Sequence, residues 1–450
     1  MKMEKKKIIM NKCGSFCKKI FKSEGFSSIL TSVICILIGL LIGFIVLLCI
    51  APKGALDGIK TIILNFFTYT KSSLRLKYFG KTLVYTAPLI LCGLSVLFAY
   101  KTGLFNIGAA GQYTVATGVA IIAAVAWNCP WYVCLFLAIL AGAFWGSLVG
   151  FLKAFFSINE VISAIMLNWI GLYLINMCVK NSSAWDSIKY ETVSIEKYNP
   201  SALLPSIGLD KLFNFQYAGI GLLFAIIIPI IIFIILKYTT FGYELKATGF
   251  NKSASEYAGM KGKFNTIITM AISGGLAGLG AGVFYLSGVM PYYCPTSGAL
   301  SMGFNGISSA FLGGLSPIGT IFSSYFLTHI TQAGALLDTT YYSSQISDLI
   351  SSIIIYLCAF THIFKYLLKK AFNKKDKEND TNANDKKEDS IDINKAIEEV
   401  DDKLLDNNLE KTKNEVSNKF KDSVNNFFKK FKDGITNFFD KIINLFKKKD

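Results

Sequence analysis

The side chains in this sequence best suited to chemistry in an apolar setting are amides, and two of them frame a glycine-rich run. Asn106 and Gln112 bracket Gly108 and Gly111 in residues 104–112, Leu-Phe-Asn-Ile-Gly-Ala-Ala-Gly-Gln. An amide is both donor and acceptor, so such a pair can hand a neutral polar solute from one hydrogen bond to the next. Each glycine weakens a helix by about 1 kcal/mol, and unwound backbone at membrane depth is tolerated only where protein or water satisfies it. The run therefore reads as a helix break beside a conduit, or as close helix packing through small residues. These residues alone leave both readings open. Asn168 and Trp169 pose the same choice: the amide could bond a solute or a neighbouring helix, and the indole could stack on a flat base or simply fill space.

Charge is what these apolar stretches lack. Between residues 82 and 364 the only acids are Glu160, Asp186, Glu191, Glu196, Asp210, Glu244, Glu256, Asp338 and Asp348, all in loops or at segment ends. Ion-coupled carriers keep ionisable groups inside the bundle, so energy is expected from outside this chain. A secondary carrier using Glu160 or Asp348 as its coupling acid is the alternative. No GxxxxGK[ST] loop occurs, so the chain is not itself an ATPase. His329 and His362 stand alone, and the ten cysteines form no CxxC or Cys/His cluster. Cys129 and Cys294 are expected outside and are candidates for a disulfide, while Cys13 and Cys17 lie beside Lys18 and Lys19. With no nucleophile, base and orienter grouped together, no metal site or catalysis is expected.

The elements that must position the amides are membrane helices. The chain is 52% hydrophobic with a mean hydropathy of +0.45, and its apolar runs approach the roughly 20 residues that span a bilayer. Ten spans are expected, at 29–50, 82–100, 105–127, 131–152, 161–180, 217–236, 266–288, 300–314, 316–336 and 347–368. The first is too long for a signal-peptide core and is expected to be retained. The fold class is all-α: a polytopic helical bundle, residues 29–368, between a basic terminus, 1–28, and a charged tail, 371–450.

Lysines 2, 5, 6, 7, 12, 18, 19 and 22 place the N-terminus in the cytoplasm of a plasma-membrane protein. Counting crossings then puts Lys101, Lys153, loop 237–265 and the C-terminal tail inside, and 181–216 and 289–299 outside. Loop 51–81 disagrees, because it carries six basic residues yet falls outside by the count. Its Leu56, Ile59, Ile63, Phe66, Phe67 and Thr70 fit one helical face, as in an interfacial helix.

Loop 237–265 divides into two short helical patterns around Gly249 and Asn251, with Asn251 and Ser253 suited to N-caps. Small residues Ala254, Ser255, Ala258 and Gly259 would let the second helix fit closely against a partner. A basic inner loop is also what topology alone produces.

Taken in order, these stretches carry a resemblance. Residues 104–112 look like a GLFNIGAEGQ signature, 159–173 like NEVI..IMLNxIAxY, and 242–259 like G.ELRAxGxNxxAAxYAGI; 273–282 and 311–319 are similar too. The chain resembles the permease subunits of bacterial ABC importers in the ribose and branched-chain amino acid superfamily, most closely nucleoside permeases that work with a basic-membrane-protein-type lipoprotein. The resemblance covers about 25–368 and departs at Ala110, where the family commonly has Glu. It implies a conduit for nucleosides or a similar small polar solute, with a sugar permease as the runner-up. It also implies that Glu244, Lys246, Ala247, Gly249 and Asn251 dock on an ATP-binding cassette subunit that hydrolyses ATP. The chain itself then needs no cofactor. A second, sibling permease, an external solute-binding lipoprotein and membrane lipid complete the expected partners, with no nucleic acid.

Two further patterns remain. Phe105-Asn106-Ile107-Gly108 and Phe304-Asn305-Gly306-Ile307 echo each other in oppositely directed spans, as an inverted repeat around a shared route would require, which adds Asn305 to the candidate path. In the tail, Val416, Phe420, Val424, Phe427, Phe431, Ile435, Phe438, Ile442 and Phe446 form one apolar helical stripe among lysines. That suits the anionic inner leaflet, a partner helix or self-association.

Overall fold

The computed structural model describes residues 24–359 apart from 293, 295–297, 299, 339 and 344. The basic terminus before residue 24, His362, the end of the tenth segment and the 371–450 tail lie outside the described residues.

Each of the ten apolar segments contains a helix among its described residues. In chain order the helices are α1 Glu24–Ile50, α2 Ala55–Leu64, α3 Ser72–Lys101, α4 Ala109–Val125, α5 Trp131–Phe156, α6 Glu160–Lys180, α7 Gly221–Tyr238, α8 Thr240–Phe250, α9 Lys252–Tyr257, α10 Gly262–Tyr285, α11 Ser301–Leu312, α12 Pro317–Ala333 and α13 Gln345–Ala359, besides shorter turns. Among them α3, α5, α6, α7 and α10 are long and apolar enough to cross a membrane, so the chain is a multi-pass helical membrane protein. A two-stranded antiparallel ribbon, β1 Trp185–Asp186 with β2 Glu191–Thr192, is a small departure from an all-α reading.

Without a hydrophobic drive between helices in lipid, close backbone packing holds such a bundle together, and the sequence supplies it. Gly142 and Gly146 of α5 face Gly274 and Gly278 of α10 so closely that a Cβ on Gly142 would lie 2.3 Å from the Gly274 carbonyl oxygen, and one on Gly274 2.1 Å from that of Gly142. Helices α3, α4 and α10 form the interior: Leu91, Leu94, Leu97, Ala116, Ala120 and Ala277 are fully enclosed. By contrast α6 and α7 turn Ile162, Met166, Tyr173, Met177, Ile226 and Ile230 outward, a surface suited to hydrocarbon.

The ends of the helices gather into two sets. At one end Thr102, Lys153, Gly249, Lys252 and Asn265 line a common cavity. At the other, Thr192 N–H donates to the Tyr292 carbonyl, Leu204 N–H to that of Leu286, and the Asn214 side chain to Ser73. That last contact, with Gly80 against Phe213, sets the basic loop 51–81 on the same side as 181–216. That shared side is what the crossing count expects of the two loops, although their charges differ.

The single amphipathic face expected in 51–81 is divided in two. Asn65, with φ 45°, ends α2, and a separate 3-10 turn follows over Asn65–Thr68. Leu56, Ile63 and Phe67 are exposed while Ile62 and Phe66 are buried. Asn65 donates to the His329 carbonyl at 2.7 Å, and the His329 ring meets the Ile63 carbonyl at 3.0 Å, anchoring the loop to α12. Cys129 and Cys294 are free thiols, and burial pushes the Cys294 thiol above its usual range.

Candidate functional site

The chain leaves helical geometry between α3 and α4. Gly103, at φ +78°, closes α3 with the Gly103 N–H on the Tyr100 carbonyl and the Leu104 N–H on that of Ala99, the paired bonds of a glycine-terminated helix. Residues 102–108 are non-helical, and α4 begins at Ala109 with Gly108 as a cap that offers no side chain. The first N–H groups of a helix lack internal partners, and here Asn168 of α6 supplies one. Its Oδ1 accepts from the Gly111 N–H at 2.8 Å, and its Nδ2 donates to the Ile107 carbonyl at 3.2 Å.

Within this break Asn106 and Gln112 meet. Asn106 Nδ2 donates to Gln112 Oε1 at 2.8 Å and to Ser273 Oγ at 2.7 Å, and Gln112 Nε2 returns a bond to Asn106 Oδ1 at 3.1 Å. Ser95 Oγ lies 3.1 Å from Ser273 Oγ and 3.2 Å from Asn106 Nδ2. All four side chains are fully enclosed. The cluster joins α3, α4 and α10 with neutral groups alone, each able to give and accept hydrogen bonds. Ser95 and Ser273 were not among the sequence candidates, since a lone hydroxyl in an apolar helix leaves no periodic signal. The place of Ser273, at the head of the glycine-rich stretch of α10, was the available clue.

The other candidates sit differently. Trp169 is 47% exposed and stacks on Tyr173, ring centroids 6.2 Å apart, on the outer side of α6, away from the amide cluster. Asn305 is half-buried in α11. The stretch 304–307 is helical whereas 105–108 is not, so the echo of residues is not an echo of backbone. The start of α11 touches the start of α4: a Cβ on Gly303 would lie 2.4 Å from Ala110 Cα. Ala110 is fully enclosed, so the turn where the resembling family has a carboxylate is sealed here.

Helices α8 and α9 make a compact loop. Thr239 Oγ1 caps α8 through the Gly242 N–H at 3.0 Å, and Asn251 Oδ1 caps α9 through the Ala254 N–H at 3.0 Å. Asn251 is the cap, and Ser253 falls inside the helix. Asn265 donates to Thr248 at 2.9 Å, tying α8 to α10. Gly249 lies against the break: a Cβ there would sit 2.4 Å from the Thr102 carbonyl carbon and oxygen and 2.7 Å from Gly103 N. Glu244, Lys246 and Ala247 are half-buried and Ala254 is exposed. Phe250 is 91% and Tyr257 95% exposed, large apolar side chains presented to solvent or a partner. Between this loop and the break lies a cavity of about 130 Å³ bordered by Lys153, Leu245, Thr248 and Thr266. Glu160 is held by Lys153 at 2.6 Å, and Asp348 is exposed.

The family model described as branched-chain amino acid transport system / permease component matches residues 78–359. The guanosine ABC transporter permease protein NupP of Bacillus subtilis is 32% identical over 351 residues, 76% of this chain and 97% of that protein. The nucleoside ABC transporter permease protein NupB of Lactococcus lactis is 32% identical over 349 residues, 76% of this chain and 94% of that protein. A second Bacillus subtilis protein, the guanosine ABC transporter permease protein NupQ, is 26% identical over 257 residues, 54% of this chain and 77% of its own length. No solved structure matches.

Proposed function

This chain belongs to the branched-chain amino acid transport system / permease component family, and from that premise we propose that it is the membrane-spanning permease subunit of an ATP-binding cassette importer for nucleosides. The observation that carries the reading is the enclosed cluster of Asn106, Gln112, Ser95 and Ser273 at a helix break. Its neutral donors and acceptors suit a hydroxylated, uncharged solute, and it holds none of the ionisable groups an ion-coupled carrier needs. The nucleoside permeases named above, similar along most of the chain, support that solute class.

Ten crossings with both termini in the cytoplasm fit the two sets of helix ends. The α8–α9 loop then faces the cytoplasm and docks on an ATPase subunit through its exposed aromatic residues and Ala254. Phe250 and Tyr257 are the kind of large apolar side chains that anchor protein interfaces. A second permease completes the pore, a pairing supported by the match to two Bacillus subtilis permeases of the same named transporter, and an external binding protein delivers the solute. Closure driven by ATP moves the loop, and Gly249 passes that motion to residues 102–108, which carry Asn106.

Deleting the gene tests the reading. Guanosine uptake by the cells should fall to background and return when the chain is resupplied. Unchanged nucleoside uptake together with lost uptake of a sugar would overturn it.

A further inference from the structure

One buried polar atom among the helices stands without a partner. Tyr113 follows Gln112 in α4 and is 1% exposed. Its hydroxyl is a buried group with no hydrogen-bond partner. The polar neighbours in sequence are all satisfied: Gln112 by Asn106, Thr114 by the Ala110 carbonyl and Thr117 by the Tyr113 carbonyl. The other buried atoms left unpaired among the described residues belong to Trp185, Asp210 and His329, in or against the loops of the 181–216 end. Leaving a hydroxyl unpaired in the interior costs free energy that a phenylalanine would avoid, so its presence calls for a partner that comes and goes.

The surroundings indicate what kind of partner. The Tyr113 ring lies 6.4 Å from that of Tyr285, and Tyr285 lies 6.2 Å from Tyr292. Tyr292 donates to Asn176 Oδ1 at 3.1 Å, and its N–H meets Thr192 of the β ribbon at 3.0 Å. A line of aromatic rings thus runs from the loops of one end of the bundle to the residue beside the amide cluster, with neutral polar groups along it. Flat, uncharged molecules with hydroxyl and carbonyl groups match such a set, because any base can stack on an aromatic face and a hydroxyl can give or accept a hydrogen bond.

We propose that Tyr113 is a solute-recognition residue of the transport route, its hydroxyl reserved for a hydrogen bond to a nucleoside passing between the Tyr285–Tyr292 rings and the Asn106–Gln112 pair. The proposal rests on the nucleoside reading above and adds a residue to it. The hydroxyl is unpaired in this structure, and solute entry supplies its partner.

The test is Tyr113→Phe in the complete transporter, reconstituted in liposomes and assayed with guanosine and with guanosine analogues each lacking one hydroxyl or the base carbonyl. A neutral hydrogen bond of ordinary strength predicts a KM for guanosine about 3- to 10-fold higher. Thermal stability should be unchanged or raised, since an unpaired hydroxyl has been removed. For the analogue that lacks the bonded group, the variant and the wild type should transport alike. An unchanged KM for guanosine in the variant would overturn the proposal, as would an equal penalty for every analogue or a fall in melting temperature that accounts for the lost uptake. If the wild-type transporter moves no nucleoside at all, the failure belongs to the underlying functional reading.

Discussion

Replacing Gly249 with alanine probes how the α8–α9 loop is joined to the helix break. The added Cβ would lie 2.4 Å from the Thr102 carbonyl carbon and oxygen, where ordinary contact begins at 3.4 Å. Those atoms are backbone, so no rotamer change clears them, and the loop must retreat from residues 102–108 by about 1 Å to restore normal packing. Overpacking of this kind costs about 1–3 kcal/mol, which leaves a folded protein. A 1 Å misplacement can cost on the order of a hundredfold in an activity that depends on alignment. In the reconstituted transporter Gly249→Ala should therefore keep its membrane abundance and its ATPase partner while ATP-driven uptake falls at least about tenfold. Gly208→Ala is the control, because Gly208 has φ +81° but nothing within 4 Å of its Cβ position. It carries a backbone penalty without the contact and should transport normally after correction for abundance. Wild-type uptake and wild-type stimulation of ATP hydrolysis in Gly249→Ala would refute the mechanical link.

Two further outcomes follow from the same geometry. Ala254 is exposed on α9, so Ala254→Arg should leave the permease folded in the membrane but prevent co-purification of the ATPase, and normal assembly would count against docking there. Asn168→Ala would orphan the Gly111 N–H and the Ile107 carbonyl, each at about 1–3 kcal/mol. Reduced membrane abundance and a lower melting temperature are expected, and an unchanged melting temperature would show that Asn168 does not hold the break.

Much of this arrangement can be read from the sequence because membrane helices announce themselves through length and apolarity. The Asn106–Gln112 pair was legible as well, since both residues sit in one short motif. What could not be read was how distant helices meet. Asn168 and Trp169 are adjacent, and a helix turns consecutive residues about 100° apart, so which of them faces inward depends on neighbours. The structure turns Asn168 onto the break and Trp169 outward. Ser95 and Ser273, 178 residues apart, come together where α10 packs on α3, with Gly280 of α10 set against Pro88 and Leu91 of α3. Loop 51–81 could not be placed for the opposite reason: its lysines point one way by a statistical tendency, whereas its contacts with Phe213 and Asn214 set it beside 181–216.

The central claim is that this chain conducts a nucleoside under the drive of ATP hydrolysed elsewhere. Its most direct test is accumulation of labelled guanosine in liposomes that enclose ATP and contain the chain with its ATPase subunit, sibling permease and binding protein, compared with liposomes containing the chain alone under a proton gradient. The account predicts accumulation only in the complete, ATP-loaded vesicles. Accumulation by the chain alone, driven by the gradient, would contradict it.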